Sequence, residues 1–335
     1  MKLTFVILTK NSGRTLERCL SAVAKLKDEF EPEVIVVDAG STDDTLNIIE
    51  KYRKELNIKV LYDGGRGLGY ARDMGWRASS AEYIVMLDSD VIVNRDFLRR
   101  AVELLQRDEK LGAISAKLRP ISLDKGWLGR FQESNLAIYL HHLDPPYPAE
   151  TVALHTACTI FRRRVLEEIG GFDAYFDLAK EDSDVSYRIR KAGYKLSYLN
   201  YYAMHLERAR ILKLNFRYGR SYVMISRKHP DMEKLWRLKN IVLTMSIFFP
   251  ILQLLVFLYY LARYMKIGGL SLSERFILPF IELARQDVRT AGMLYQLIVE
   301  KISKLKLRNS VILMDNKRDN LKIVNICYLR NVSER

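Results

Sequence analysis

Cysteine is scarce in this 335-residue sequence: Cys19, Cys158 and Cys327 are odd in number and far apart. No CxxC spacing occurs, which removes thiolate zinc sites and dithiol redox chemistry, so the thiols read as reduced. Proline (8) and glycine (17) are also few, which excludes collagen-like and low-complexity disordered chains, and three cysteines cannot staple a disulfide framework. The first residues are not expected to be a secretory leader. Lys2-Leu3-Thr4-Phe5-Val6-Ile7-Leu8-Thr9 carries only a short apolar run without a small-residue cleavage site, so it reads as a first strand, with the N-terminal part expected in the cytoplasm. What is there is a folded chain, 49% hydrophobic and 28% charged, of a length that suits one large domain with an appendage, or two domains.

The net charge of +14 is confined to one region. Residues 1–206 hold 30 Lys+Arg and 30 Asp+Glu, leaving 24 against 10 for residues 207–335. The basic part is therefore a separate module. Its charges flank an apolar stretch and lack stacking aromatics, so anionic lipid headgroups explain them better than nucleic acid, and no nucleic-acid partner is expected.

Val- and Ile-rich runs alternate with amphipathic stretches over the first 120 residues. Strands are predicted at 3–8, 34–37, 58–61, 83–87 and 113–117, and helices at 14–26, 43–56, 68–78 and 96–107. This alternation means βαβ units, hence an α/β fold with a mostly parallel central sheet whose ligands lie at the carboxyl ends of the strands. Beyond it, 127–143 reads as a helix, 152–161 as a strand, 178–192 as a helix and 194–199 as extended. Ile241 to Ala262 is 22 residues without a charge, enough at about 1.5 Å per residue to cross a bilayer, and predicts a transmembrane helix. The segment 207–240 before it reads as a basic juxtamembrane stretch, 267–305 as interfacial helices, and 306–335 as a basic tail.

Several strand ends carry polar chemistry. Asp88-Ser89-Asp90 follows the apolar run Tyr83 to Leu87, placing two carboxylates where they can face one hard cation; Mg²⁺ or Mn²⁺ bridging to a diphosphate fits, as does a solvated turn. Asp38-Ala39-Gly40-Ser41 ends the second strand, where Asp38 can accept hydrogen bonds from a base or ribose and Gly40 permits close approach. Gly67-Leu68-Gly69 leads into a helix bearing Arg72, a permanent cation able to grip phosphate. Glu181-Asp182-Ser183-Asp184 opens another helix and offers a general base, or merely a favourable helix start. His205 is a candidate further metal ligand.

Taken in chain order, Val6 to Asn11, the Asp38 motif, Gly69 to Gly75 with Arg72, Asp88-Ser89-Asp90, Gly170-Gly171-Phe172-Asp173, Glu181-Asp182 to Arg188, and His205 resemble glycosyltransferase family 2. The resemblance covers residues 1 to about 206. It implies a GT-A fold with a nucleotide-sugar half (1–120) and an acceptor half (121–206), and inverting transfer of a sugar from a UDP- or GDP-sugar. It implies donor contacts at Thr9, Asn11, Asp38, Gly40, Arg72, Asp88 and Ser89, a divalent cation at Asp88, Asp90 and His205, and Asp182 as the base with Glu181 as substitute. The family often has Asp-Asp-Gly-Ser where this chain has Asp38-Ala39-Gly40-Ser41, and the Gln-x-x-Arg-Trp box of processive synthases is missing. The expectation is thus a single-addition transferase at the cytoplasmic face of the cell membrane, acting on a hydroxyl of a polyprenyl-linked saccharide. A polyprenyl-phosphate glycosyl synthase is the alternative.

Overall fold

The computed structural model describes residues 1–131, 133, 149–207, 211–232, 249–267 and 269–315. The N-terminal half alternates β1 (Lys2–Thr9), α1 (Leu16–Ala24), β2 (Glu31–Asp38), α2 (Thr45–Tyr52), β3 (Asn57–Tyr62), α3 (Leu68–Arg77), β4 (Tyr83–Asp88), β5 (Val91–Ile92), α4 (Arg95–Arg107) and β6 (Leu111–Ser122). Then come β7 (Ala149–Thr151), β8 (Cys158–Arg162), α5 (Arg163–Glu168), α6 (Glu181–Lys191) and β9 (Lys195–Glu207). One nine-stranded sheet runs β3-β2-β1-β4-β8-β6-β9-β5, with β7 beside β9.

The first four strands are parallel, and β1 is their switch point, with β2 on one side and β4 on the other. Its side chains explain why it is central. Leu3, Phe5 and Ile7 enter the core under α1 and α4, while Val6 packs on the opposite face with Trp76, Ile84 and Met86. A strand buried on both faces needs an unbroken apolar run, and that is how it reads. Register puts Leu8 beside Asp88 and Thr9 beside Asp38, so three loops meet at one sheet edge. Gly75 lets α3 lie close on this strand, because a Cβ there would overlap the Val6 side chain.

The remaining half departs from simple alternation. The stretch predicted as one strand over 152–161 is a strand only from Cys158: β7 lies just before it and pairs antiparallel with β9, an irregular segment follows, and β8 inserts antiparallel between β4 and β6. That segment delivers the Ala157 carbonyl to the amide of Asp88, 2.9 Å away. The predicted helix at 127–143 is helical at 127–131, with 134–143 outside the described residues.

The C-terminal expectations need correction. Residues 211–228, within the stretch read as basic and juxtamembrane, form α7 (Ile211–Lys228), whose Tyr222, Val223, Met224 and Ile225 are buried. The predicted span 241–262 is not one helix. Residues 241–248 lie outside the described residues, Phe249 is extended, and α8 (Pro250–Met265) starts at Pro250, which lacks the amide a continuous helix would need. Among the described residues no helix is long and apolar enough to cross a membrane. The expected interfacial helix pair is a single helix, α9 (Leu272–Asp315), which takes in the first part of the predicted tail; 316–335 lie outside the described residues. α9 packs along α7 at glycines: a Cβ on Gly219 would overlap the Arg289 carbonyl, and one on Gly292 that of Phe216. Ile251, Leu254, Leu255, Leu258 and Tyr259 of α8 are exposed along one helical face, and Leu272, Phe276 and Phe280 of α9 are exposed as well.

Candidate active site

The β1 and β2 ends build a loop pair held by one carboxylate. Asp38 is fully buried and accepts from the Thr9 hydroxyl (2.8 Å) and the Ser41 hydroxyl (2.6 Å) at Oδ1, and from the Gly40 and Ser41 amides (2.9 and 2.8 Å) at Oδ2. Gly40 supplies the turn with φ of +77°, a region that costs other residues energy. Asn11 also has positive φ, 52°, and its Oδ1 accepts from the Thr42 amide at 2.8 Å. Of the expected donor-binding residues, Asn11 is exposed at this edge, whereas Asp38 and Thr9 bond to each other within it. Ser89 meets Ser12 of the first loop, hydroxyl to hydroxyl, at 2.9 Å.

Arg72 is placed differently from its sequence reading. Its guanidinium is buried between two carboxylates, with Nη2 donating to Asp88 Oδ1 at 2.9 Å and Nε to Glu181 Oε1 at 3.1 Å. It therefore clasps the end of β4 to the start of α6, although residues 72 and 181 are 109 positions apart. Only the buried Nη1 is left without a partner among the described residues. Burial pushes the Asp88 carboxyl up, but the adjacent Arg72 charge and hydrogen bond outweigh it and hold Asp88 below the ordinary carboxylate range. Glu181 goes the other way: burial, helped by the charge of Asp182, raises it against the pull of Arg72. A second bond, from the Thr156 hydroxyl at 3.1 Å, pins the same Glu181 oxygen.

Asp182, by contrast, is half-buried, and its Oδ1 accepts from the amide (2.6 Å) and the hydroxyl (3.2 Å) of Ser183. Asp184, one turn of helix away from Glu181, is fully buried under Arg188 (2.6 Å), Lys228 (2.6 Å) and His229 (2.7 Å). Through these bonds α7 is locked against the helix that carries Asp182.

The expected three-residue cation set does not converge. Among the described residues no group of three or more His, Cys, Asp or Glu side chains is arranged to hold a metal, because Asp88 is turned to Arg72. Asp90 and His205 do meet: β5 pairs antiparallel with β9, Val91 opposite His205, and Asp90 Oδ1 lies 3.3 Å from His205 Nε2. That oxygen is buried and receives no hydrogen bond among the described residues.

His155 was not foreseen. It lies in the irregular segment before β8, and its Nε2 is 3.0 Å from the Ala116 carbonyl while Nδ1 is buried without a partner among the described residues. Burial lowers its pKa to about 4, with the charges of Asp182 and Asp88 pulling the other way. A histidine inside a run that reads as a plain strand offers no sequence signal of its own.

On this α/β sheet the strand ends gather a glycine turn, paired carboxylates and a half-buried acid. Residues 4–170 match the model of glycosyl transferase family 2, and through this domain the chain belongs to glycosyltransferase family 2. It is 30% identical over 203 residues to a poly-beta-1,6-N-acetyl-D-glucosamine synthase of Staphylococcus aureus (strain COL), covering 58% of this chain and 47% of that one. To the synthase of the same name from Staphylococcus epidermidis it is 26% identical over 199 residues, with the same coverage. The chain spans about half the length of these relatives. In fold it is similar to a mannosyltransferase from Pyrobaculum calidifontis in complex with GDP-Man and Mn²⁺, with TM-score 0.59, 21% identity, and 88% and 86% of the two chains covered.

Proposed function

We propose that the protein transfers one sugar, with inversion, to a hydroxyl of a membrane-associated, polyprenyl-linked saccharide at the cytoplasmic face of the cell membrane. The observation that carries this reading is the Arg72 clasp. By engaging Asp88 and Glu181 it leaves Asp90 and Asp182 as the carboxylates of the motif pairs that Arg72 does not hold. Asp182 is the base: its carboxylate takes the proton of the acceptor hydroxyl as that oxygen attacks the anomeric carbon, and the bond to the nucleoside diphosphate breaks with its electrons leaving on the phosphate. Glu181 does not serve as substitute, because Arg72 and Thr156 fix it.

The oxygen of Asp90 without a donor and the imidazole of His205 form a carboxylate and nitrogen pair that suits Mg²⁺ or Mn²⁺, a smaller set than the sequence implies. A divalent cation held by them would offset the negative charge that grows on the leaving diphosphate. The Asn11 and Gly40 loops line the sheet edge where the donor nucleotide sits, with the Arg72 guanidinium buried behind it.

Asp182→Asn preserves shape and removes the base. Transfer to a saccharide acceptor is expected to fall roughly a hundredfold to ten-thousandfold while affinity for the nucleotide stays within twofold, measured by product formation and by nucleotide titration. Near-normal transfer by this variant to a polyprenyl phosphate, whose ionised oxygen needs no base, would move the assignment to the synthase alternative.

A further inference from the structure

We propose that His155 reads the acceptor: its Nδ1 accepts a hydrogen bond from a second hydroxyl of the acceptor sugar, next to the one that attacks. The inference rests on the saccharide-acceptor reading above and adds a specificity contact to it.

The tautomer follows from the partner. A backbone carbonyl can only accept, so the 3.0 Å contact from Nε2 to the Ala116 oxygen puts the ring proton on Nε2. Neutral imidazole then has one lone pair left, on Nδ1, and that atom is buried without a donor among the described residues. An unmet acceptor inside a protein is costly, and a ligand that brings an O–H recovers the cost.

The position fits the acceptor side of the reaction. His155 is flanked by Thr156, which bonds Glu181, and Ala157, whose carbonyl receives the Asp88 amide. Its own carbonyl is held by the Thr159 hydroxyl and by Ser115 at 3.3 Å, and Leu154 is tied to Ser186 of α6 at 3.0 Å. The ring is thereby fixed between the β4 end and the helix bearing Asp182, and it senses the charges of Asp182, Asp88 and His205. Tyr198 covers it at 5.7 Å between ring centroids.

The attacking hydroxyl has a single proton, and that proton goes to Asp182. The hydroxyl at His155 must therefore be a neighbour on the same sugar. A phosphate dianion has no proton to offer and would set oxygen lone pairs against the nitrogen lone pair, so this contact favours saccharides over polyprenyl phosphates.

The test uses the full chain with octyl glycosides, their monodeoxy analogues and decaprenyl phosphate as probes. His155→Gln keeps an N–H for the Ala116 carbonyl and removes the Nδ1 acceptor. For wild type, one deoxy analogue should lose about tenfold in kcat/KM, the worth of one hydrogen bond. His155→Gln should lose a similar factor on the parent glycoside, through KM more than kcat, and show no further loss on that analogue. Nucleoside diphosphate affinity should be unchanged, and His155→Leu, which also removes the Nδ1 acceptor, serves if the first variant does not fold. If His155→Gln remains as sensitive to every deoxy substitution as wild type, the inference is overturned and the saccharide reading stands. Transfer by wild type to decaprenyl phosphate alone, or to neither probe, overturns both.

Discussion

At the scale of single residues, the site works by dividing labour between like groups. Asp88 and Asp90 are one residue apart, yet one is spent on Arg72 and the other faces His205. Glu181 and Asp182 are adjacent, yet one is buried and clasped while the other is half-buried. Neighbouring carboxylates with different environments can hold different protonation roles. His155 gives this contrast a measurable consequence. Its pKa falls from 6.5 to about 4 on folding because burial disfavours the imidazolium. The folded state thus prefers neutral His155, and the associated stability is present above pH 6.5 and lost as pH drops toward 4. Urea unfolding at pH 7.5 and pH 5 should show a loss of about 2 kcal/mol from this group. In His155→Gln the drop between the two pH values should shrink by about that amount, and an unchanged drop would assign the acid sensitivity elsewhere.

Among elements, the parallel half and the C-terminal helices follow different rules. β1, β2 and β4 are specified locally: each is an apolar run followed by a polar turn, and predicted and observed strands differ only by a residue or a few at each end. The helices were less legible because their partners lie far away in sequence. α7 falls in a stretch that reads as basic since its charges are conspicuous, whereas its seating on α9 depends on Gly219 and Gly292, residues without a side chain to signal contact. Two helices meeting at glycine bring backbone against backbone, so even one methyl group forces them apart. Gly219→Val should therefore destabilise the α7–α9 packing by about 1–3 kcal/mol, read from the shift of the thermal or urea transition. Gly269, with φ of +77° but open space around it, should tolerate Asn far better.

For the whole molecule, charge and apolar surface are segregated, and the same end of the chain carries both. Residues 207–335 hold the basic excess, and α8 and the start of α9 both expose apolar side chains. A 16-residue helix is about 24 Å long, short of a hydrocarbon core, so a helix lying in the lipid interface agrees better with α8 than a crossing does. The full chain should cosediment with vesicles containing anionic phospholipid. Leu254→Glu, Leu255→Glu and Leu258→Glu together should weaken that binding at least roughly tenfold, since each removes on the order of 1.5 kcal/mol of burial in lipid. A full chain that stays in the supernatant would detach the membrane from the proposed acceptor.

Local chemistry in the chain was enough to specify the βαβ half, the loop after each strand, and the paired carboxylates at Asp88–Asp90 and Glu181–Asp182. Those features come from periodicity and short-range turns, which neighbouring residues decide among themselves. Which carboxylate of each pair stays available was decided only when Arg72 reached both β4 and α6, across 109 positions. The same holds for the acceptor nitrogen of His155, left without a donor by an antiparallel insertion that alternating apolar runs cannot reveal. Burial and partnership are properties of packed neighbours, and the neighbours at this site come from segments that only the folded sheet brings together.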